Sequence, residues 1–281
     1  MTRGSVRTWA AVLVCASALL AGCAPHVAAP PELERDAVRA RFASRLRERR
    51  EQAAHAEGQI DVWIHRDGRR DPPGASARLW LEAPESFRIR AEGLVGTALD
   101  AAARGDSLVV QIPALDVRAI THDAAAAGGL GTAGSIVWNV LAAGFEPPDS
   151  AWLAATRRDS FAVVAWREGR DSLSLAIGAS GLPSEARLRT HSGTEIVTRY
   201  ERWQAFDRIP WPARLVIERE GDGTRATLQL QALRLRPASA TPLVRLRVPA
   251  ASIEMSSRDW LKLVGRIVGD ALGPGAEETA P

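Results

Sequence analysis

The chain has 281 residues, of which 46% are hydrophobic, so it is long enough to bury a sizeable core as one domain. It carries 36 basic and 33 acidic side chains, for a formal net charge of +3. Nucleic-acid-binding proteins usually carry a strong basic excess on one face, so this near-neutral balance argues against such a partner.

The first 23 residues are laid out like a secretory signal peptide. Arg3 and Arg7 precede an apolar run, Trp9–Leu20, that is shorter than the ~20 residues needed to span a bilayer. Small residues follow and end at Cys23, which is the arrangement of a bacterial lipobox. At such a site the signal is cut before the cysteine, which then takes a diacylglyceryl group and an N-acyl chain. The other interpretation is an ordinary secretory signal with a chance cysteine.

We therefore predict a lipoprotein signal peptide over residues 1–22 and a lipidated tether over residues 23–31. Cleavage would remove Cys15 and the two signal arginines, leaving Cys23 as the sole cysteine and lowering the formal charge to +1. A single cysteine can form neither a disulfide nor a cysteine-based metal site within the chain. Two or more acyl chains anchor a protein stably, so lipid is expected to hold this chain to a membrane.

An N-terminal helix is predicted over Glu32–Ala56, where apolar residues recur every three to four positions among Arg and Glu. Those residues are Leu33, Val38, Phe42 and Leu46. From Gly58 onward the period changes to two, and short turns separate the runs, which indicates an antiparallel meander with one apolar face. The predicted strands are Ile60–His65, Ala77–Glu82, Phe87–Glu92, Thr97–Ala103, Ser107–Ile112 and Asp116–Thr121.

A short mid-chain helix of about a dozen residues is predicted within Thr132–Ala143, because apolar residues there return to helical spacing. The Ala- and Gly-rich stretch Ala124–Gly134 before it has the composition of a hinge, so the helix is expected to act as a lid on the sheet. Trp138 is expected at the cavity or its mouth. The side chains expected to pack onto the concave sheet are Ile136, Val137, Val140 and Leu141.

A second series of strands follows the lid helix. The predicted strands are Phe161–Arg167, Ser172–Ile177, Glu185–His191, Glu195–Trp203, Ala213–Glu220, Arg225–Arg236 and Leu243–Val248. The alternation slips by one at Ala232, which indicates a β-bulge. A last amphipathic helix is predicted over Ser257–Leu272, before a disordered tail at residues 273–281. The fold class is therefore α+β, with a single large curved antiparallel sheet, an N-terminal helix, a mid-chain lid helix and a C-terminal helix in one domain over residues 32–272.

The sequence contains no complete catalytic or cofactor-binding motif. Gly129–Gly134 matches G-x-G-x-x-G, but it lacks the βαβ unit and the later acidic residue of a dinucleotide site. The five histidines show no metal-ligand spacing, and no G-x-S-x-G occurs. We therefore predict a protein that is not an enzyme and uses no metal or cofactor. Trp63, Trp80 and Trp203 lie out of phase with their aliphatic neighbours, which leaves rim packing and ligand lining both open.

Three segments carry a resemblance to a known family. Phe87–Leu99 is similar to a strand–loop–strand with an apolar residue and a glycine at its tip, and Ser135–Leu141 is similar to an internal helix. Tyr200–Leu235, with a proline before a strand, is similar to a closing strand series. In this order they resemble the outer-membrane lipoprotein receptor/carrier family (LolA/LolB-like) over roughly Glu32–Pro237. The segment after Pro237 exceeds that pattern.

The resemblance implies a half-open β-barrel that shelters acyl chains of lipoproteins or lipids under the lid helix, with a soluble periplasmic carrier as a further partner. It also implies an outer-membrane location on the periplasmic face, held by Cys23. Phe87 and Ile89 join the lid residues as cavity candidates, and Leu94 and Val95 take the place of the loop that touches the membrane. A loop that folds back and buries Leu94 is the alternative. The rival function is a non-enzymatic structural or interaction lipoprotein of the same fold with a filled core, in envelope assembly or sensing.

Overall fold

The structure, a computed structural model, describes residues 32–66, 69–70, 75–93, 96–113, 116–122, 132–158, 160–190, 193–221, 223–239, 242–249 and 252–255. The chain divides into two compact units, Met1–Arg35 and Asp36–Pro281, and nearly all described residues belong to the second. Several predicted features therefore lie outside the described residues: Cys23 and its signal, Leu94, Val95 and the helix Ser257–Leu272.

Helices occupy three segments of the described residues, namely α1 over Glu32–Gln52, α2 over Ala133–Leu141 and α3 over Asp149–Leu153. Helix α1 ends earlier than the predicted Ala56, because the chain from His55 onward pairs with strands on both sides. Helix α2 has nine residues rather than about a dozen, and α3 was not predicted. None of the helices in this part of the chain is long and apolar enough to cross a membrane.

Fifteen strands in the described residues form one sheet. The first seven are β1 (His55–Arg66), β2 (Arg69–Arg70), β3 (Ala75–Glu82), β4 (Ser86–Gly93), β5 (Gly96–Arg104), β6 (Ser107–Ile112) and β7 (Val117–Thr121). The others are β8 (Thr156–Arg158), β9 (Phe161–Glu168), β10 (Asp171–Ile177), β11 (Pro183–Arg189), β12 (Glu195–Phe206), β13 (Ile209–Arg219), β14 (Arg225–Arg236) and β15 (Ile253–Glu254). Strands β2, β8 and β15 are short additions to the prediction.

The sheet order joins two meanders through β1. On one side β1 pairs with β3, and the order continues through β4, β5, β6 and β7 to β15; on the other it pairs with β14 and continues in descending order to β8. Neighbours are antiparallel except β15 and β7, which are parallel. Because β15 and β8 are the two ends of this order, the described sheet stays open, and the predicted half-open antiparallel barrel is confirmed.

One face of the sheet, which we call the inner face, carries the apolar alternation and packs against the helices. In the first meander Leu79 faces Ile89 across the strands, and in the second Leu175 faces Ala186. These side chains share one hydrophobic cluster with Phe42 of α1 and other helix residues. Burial of a continuous apolar face is the main stabilisation of such a layered fold.

The predicted bulge lies within a residue of its expected place. Gln59 faces Ala232 whereas Ile60 faces Leu230, so one residue of β14 is skipped. The slip returns leucines to the inner face on both sides of the extra residue.

Strand β13 begins at Ile209, earlier than the predicted Ala213, and runs through Pro210 and Pro212. Over this early part only β12 pairs with it, because β14 joins β13 from Arg214 onward. Proline lacks a backbone N–H, so it is tolerated where one side of a strand has no ladder to complete.

The predicted strand Leu243–Val248 is wrong, because residues 242–249 form no strand. This segment, which we call the strap, lies on the outer face of the first meander. The backbone N–H groups of Leu243 and Val244 donate to Glu82 Oε2 at 3.1 and 3.2 Å, and Val244 is fully buried. The alternation of apolar and polar residues in the strap arises because Val244 packs on the face of the sheet, and the strap does not pair as an edge strand.

The outer face of the second meander is polar. Arg187 bonds to Glu185 along its own strand, and three further pairs join neighbouring strands: Arg187–Glu195, Arg199–Glu218 and Arg214–Glu201. Opposite charges on facing strands stabilise a sheet modestly, and they keep this face in water.

Candidate functional site

A cavity of about 110 Å³ lies between helix α2 and strands β10 to β13. Its helix-side lining consists of Ile136, Asn139, Val140 and Phe145, and its sheet-side lining includes Leu173, Ala186, Leu188, Ile196, Thr198 and Ile217. Most of these side chains are apolar, and Glu168 and Arg187 complete the lining. Ordinary small-molecule pockets measure ~300–1,000 Å³, so this cavity has the apolar lining of a ligand pocket but a smaller volume.

Two contacts position helix α2 over the cavity, one at its start and one at its middle. At its start the Thr132 hydroxyl accepts a hydrogen bond from the Ser135 backbone N–H at 3.2 Å, which caps the helix. One turn further on, Trp138 packs edge-on against Trp211 of β13, with ring centroids 5.8 Å apart. The helix is apolar around most of its surface, since it has no acidic residue in its first turn and no basic residue in its last.

The structure separates the predicted lid and cavity residues into three positions. Ile136 and Val140 line the cavity, Val137 is partly buried against the core, and Trp138 and Leu141 are buried in it. Trp138 is only 1% exposed and therefore lies away from any mouth. Phe87 and Ile89 lie on the inner face of β4 in the first meander, outside the cavity lining.

Arg49 was not among the predicted site residues, and it is the most unusual side chain near the site. It is fully buried, and its Nη2 donates to the carbonyl oxygen of Ala143, just beyond α2, at 3.2 Å. Its guanidinium lies 5.5 Å from the ring centroid of Trp203. The signal was present, because Arg49 follows Leu46 at i+3 on the apolar stripe of α1.

Tyr200 is the second buried polar group at this place. Its side chain lies beside Trp203, with ring centroids 5.8 Å apart, and its hydroxyl has no hydrogen-bond partner among the described residues. Burial raises the pKa of the Tyr200 phenol above its usual value, an effect that the positive charge of Arg49 partly opposes. Burial also lowers the pKa of the Arg49 guanidinium to about 10, so Arg49 stays charged and Tyr200 neutral at neutral pH.

Two exposed ion pairs also join α1 to the segment after α2. Arg50 bonds to Glu146 at 2.6 Å, and Arg39 bonds to Asp149. With the Arg49–Ala143 hydrogen bond, they tie α1 to the segment that follows α2. The polar attachment of that segment to α1 therefore uses three arginines of one helix.

The tryptophans that lay out of phase divide between the two faces. Trp80 is half-buried on the outer face, and the Arg88 guanidinium lies 5.8 Å from its ring centroid. Trp63 occupies the same outer face of β1. Trp203 packs against the core and donates its indole N–H to the Pro183 carbonyl oxygen at 3.0 Å. No group of three or more metal-ligating side chains occurs in the described ranges.

The fold has known counterparts among solved structures. A LolA superfamily protein from Nitrosomonas europaea aligns with a TM-score of 0.51 and 14% identity, over 70% of this chain and 93% of that one. A DUF1329 family protein from Desulfovibrio piger aligns with a TM-score of 0.48 and 11% identity, over 70% of this chain and 92% of the other. A domain described as an outer membrane lipoprotein-sorting protein, from Vibrio parahaemolyticus, aligns with a TM-score of 0.48 and 10% identity, over 79% of this chain and 96% of that one.

Neither protein-family models nor curated proteins gave a match to the sequence. The likeness to the Nitrosomonas protein establishes the fold: this chain has a LolA-like half-open barrel. The resemblance stated from the sequence is thereby confirmed at the level of fold.

Proposed function

We propose that this protein is a non-enzymatic envelope lipoprotein that binds acyl chains of lipoproteins or lipids between α2 and the inner face of the sheet. The observation that carries the proposal is the cavity under α2, whose walls are mostly apolar on both the helix side and the sheet side. Acyl chains cannot cross water exposed, so a sheltered apolar surface suits such a ligand.

The cavity must enlarge to hold a whole acyl chain. Helix α2 has the properties of a part that can move: it is short, and exposed ion pairs hold the segment after it. Exposed pairs contribute only about 0.2–1 kcal/mol each, so they resist opening weakly. Outward movement of α2 would join the cavity to the apolar inner face next to it.

A filled-core interaction lipoprotein of the same fold is the second candidate. The specific observation that favours it is the pair Trp138 and Trp211, which fill the centre beneath α2 and are almost fully buried. In that case the small cavity is a packing gap, and the protein acts through its surface in envelope assembly or sensing.

Uptake of an apolar fluorescent ligand separates the two candidates. We expect the purified protein to bind the methyl ester of cis-parinaric acid, and Ala186→Leu to weaken that binding because the larger side chain fills the cavity. Ala165→Leu is the matched control, since Ala165 is exposed on strand β9, which β10 separates from β11. If the wild-type protein binds no apolar ligand, the filled-core candidate replaces the proposal.

The anchor forms a separate part of the proposal. Cleavage before Cys23 and acylation of its thiol and amine would hold the protein to the periplasmic face of the outer membrane. Cys23→Ser, expressed in a diderm host, should give soluble or uncleaved protein. A Cys23→Ser chain of mature length that still sediments with membranes would contradict the anchor.

The loop between β4 and β5 is proposed as the point that touches the membrane during ligand transfer. Gly93 pairs with Gly96, so Leu94 and Val95 connect two paired strand ends. A partly inserted leucine gains on the order of 1–2 kcal/mol of membrane affinity, which suits a transient contact. We expect Leu94→Glu to bind acyl ligand normally but to deliver it slowly to liposomes, whether the ligand arrives free or from a soluble carrier. Transfer at the wild-type rate would contradict this role.

A further inference from the structure

The polar atoms around Arg49 form an unsatisfied cluster inside an otherwise apolar core. Arg49 Nε and Nη1 and the Tyr200 hydroxyl have no hydrogen-bond partner among the described residues. Arg49 and Tyr200 both lie beside Trp203, so these unpartnered atoms belong to one place in the core. Buried donors of this kind are nearly always paired in native proteins, so a cluster of them indicates a missing acceptor.

Because Arg49 is positively charged, the missing acceptor is expected to be an anion. Arg49 is fully buried, and no carboxylate in the described ranges hydrogen-bonds to it. Its one hydrogen bond goes to the neutral carbonyl of Ala143. A buried cation without a counter-ion is unfavourable, whereas a ligand that brings a negative charge neutralises it.

The cluster adjoins the cavity under α2. Thr198 lines the cavity, and Tyr200 is the next residue on the same face of β12. Phe145 also lines the cavity, and it lies two residues beyond Ala143, whose carbonyl oxygen accepts the hydrogen bond from Arg49. Arg49 and Tyr200 are not themselves in the cavity lining, so a chain-like ligand must extend past Thr198 to reach the phenol and the guanidinium.

We propose that Arg49 and Tyr200 bind the carboxylate of a fatty acid whose hydrocarbon chain occupies the cavity under α2. This inference rests on the proposed function, because it requires that the cavity accept an acyl chain. Arg49 keeps N–H donors on Nε and on Nη1, and a carboxylate oxygen accepts a charge-assisted hydrogen bond from such a donor. The neutral Tyr200 hydroxyl donates a further hydrogen bond. An ester or amide carbonyl would accept hydrogen bonds here but would leave the charge of Arg49 uncompensated.

The test compares cis-parinaric acid with its methyl ester, which shares the chain but lacks the charge. Both are titrated into the purified wild-type protein and into Arg49→Met, Tyr200→Phe and Arg45→Met, with fluorescence as the readout. Arg45 is the matched control, because it lies one turn before Arg49 but is exposed and paired with Glu48 at 3.0 Å. We expect the wild type and Arg45→Met to prefer the acid by about tenfold or more, since a charged hydrogen bond to a buried group has that effect.

Arg49→Met should bind acid and ester alike, at the ester's affinity, and Tyr200→Phe should lose part of the preference. Equal binding of acid and ester by the wild type overturns the carboxylate site but leaves acyl binding standing. An acid preference that persists in Arg49→Met overturns it as well. Binding of neither ligand refutes the proposed function together with this inference. If Arg49→Met does not fold, the wild-type comparison and Tyr200→Phe decide the question.

Discussion

Gly134, in the first turn of α2, lies directly against the backbone of Glu85 in the turn between β3 and β4. A Cβ atom added at Gly134 would lie 1.7 Å from the Glu85 carbonyl oxygen. The last glycine of the G-x-G-x-x-G stretch is therefore needed for close packing of the lid helix on the sheet. Close approach, rather than phosphate binding, accounts for a glycine at this position.

Gly134→Ala should push α2 away from the turn between β3 and β4. Overpacking of this kind typically costs ~1–3 kcal/mol, so we expect a lower melting temperature and faster uptake of an apolar dye. The matched control is Gly178→Ala, where an added Cβ would meet its nearest atoms at 3.7 Å, an ordinary contact. Equal stability of both variants would show that α2 can shift without loss.

Glu82→Ala should release the strap from the outer face. The Glu82 carboxylate accepts the backbone N–H groups of Leu243 and Val244, and loss of these charged hydrogen bonds costs roughly 1.5–3 kcal/mol. We expect faster tryptic cleavage after Arg245 and Arg247, measured by mass spectrometry.

The control for the strap is Glu57→Ala, an exposed glutamate on the neighbouring strand β1. It should leave the cleavage rate unchanged. Identical rates in Glu82→Ala and the wild type would mean that the burial of Val244 alone holds the strap.

Disruption of the Arg50–Glu146 ion pair should loosen the segment after α2. Glu146→Arg places two cations together, and we expect faster dye uptake that the double variant Arg50→Glu/Glu146→Arg reverses. The pair is partly exposed, so the change in free energy is only about 0.2–1 kcal/mol and shrinks at high salt. An unchanged uptake rate in the single variant at low salt would exclude this pair from control of the lid.

Tyr200 should resist ionisation as long as the protein stays folded. It is the only tyrosine in the chain, so tyrosinate absorbance reports on it alone. Because burial raises its pKa, the folded protein should show less tyrosinate above pH 10 than the urea-unfolded chain, which should titrate near the ordinary value of ~10.

The sign of the linked stability change follows from the same shift. The stabilisation due to neutral Tyr200 is complete below about pH 10 and is lost as the pH rises toward the raised folded-state pKa. Arg49 acts in the opposite direction: burial of its charge penalises the folded state at neutral pH, and this penalty shrinks as the pH rises above its lowered pKa of about 10. Tyr200→Phe should therefore gain stability relative to the wild type above about pH 10, measured by urea titration. A wild-type tyrosine that titrates at its ordinary pKa in the folded protein would contradict the burial of its hydroxyl.

The amino-acid sequence by itself determined most of the long strands and the apolar face that they share. Period-two alternation is a local property of the backbone, so residues such as Leu79 and Leu175 could be assigned to one apolar face without knowledge of their neighbours. Helical spacing placed α1 and α2 for the same reason. The slip at Ala232 was also local, and it located the bulge.

Only the tertiary structure decided what covers each face and which polar groups are buried. The strap carries the same alternation as a strand, but it became a covering segment because Glu82 and the outer face of the first meander bind it. Arg49 continues the apolar stripe of α1, but an arginine is ordinarily exposed, and only the approach of α1 to Ala143 and Trp203 buries it. A local pattern encodes which side of an element is apolar, whereas burial of a charge depends on chain segments about a hundred residues away, and those meet only in the folded state.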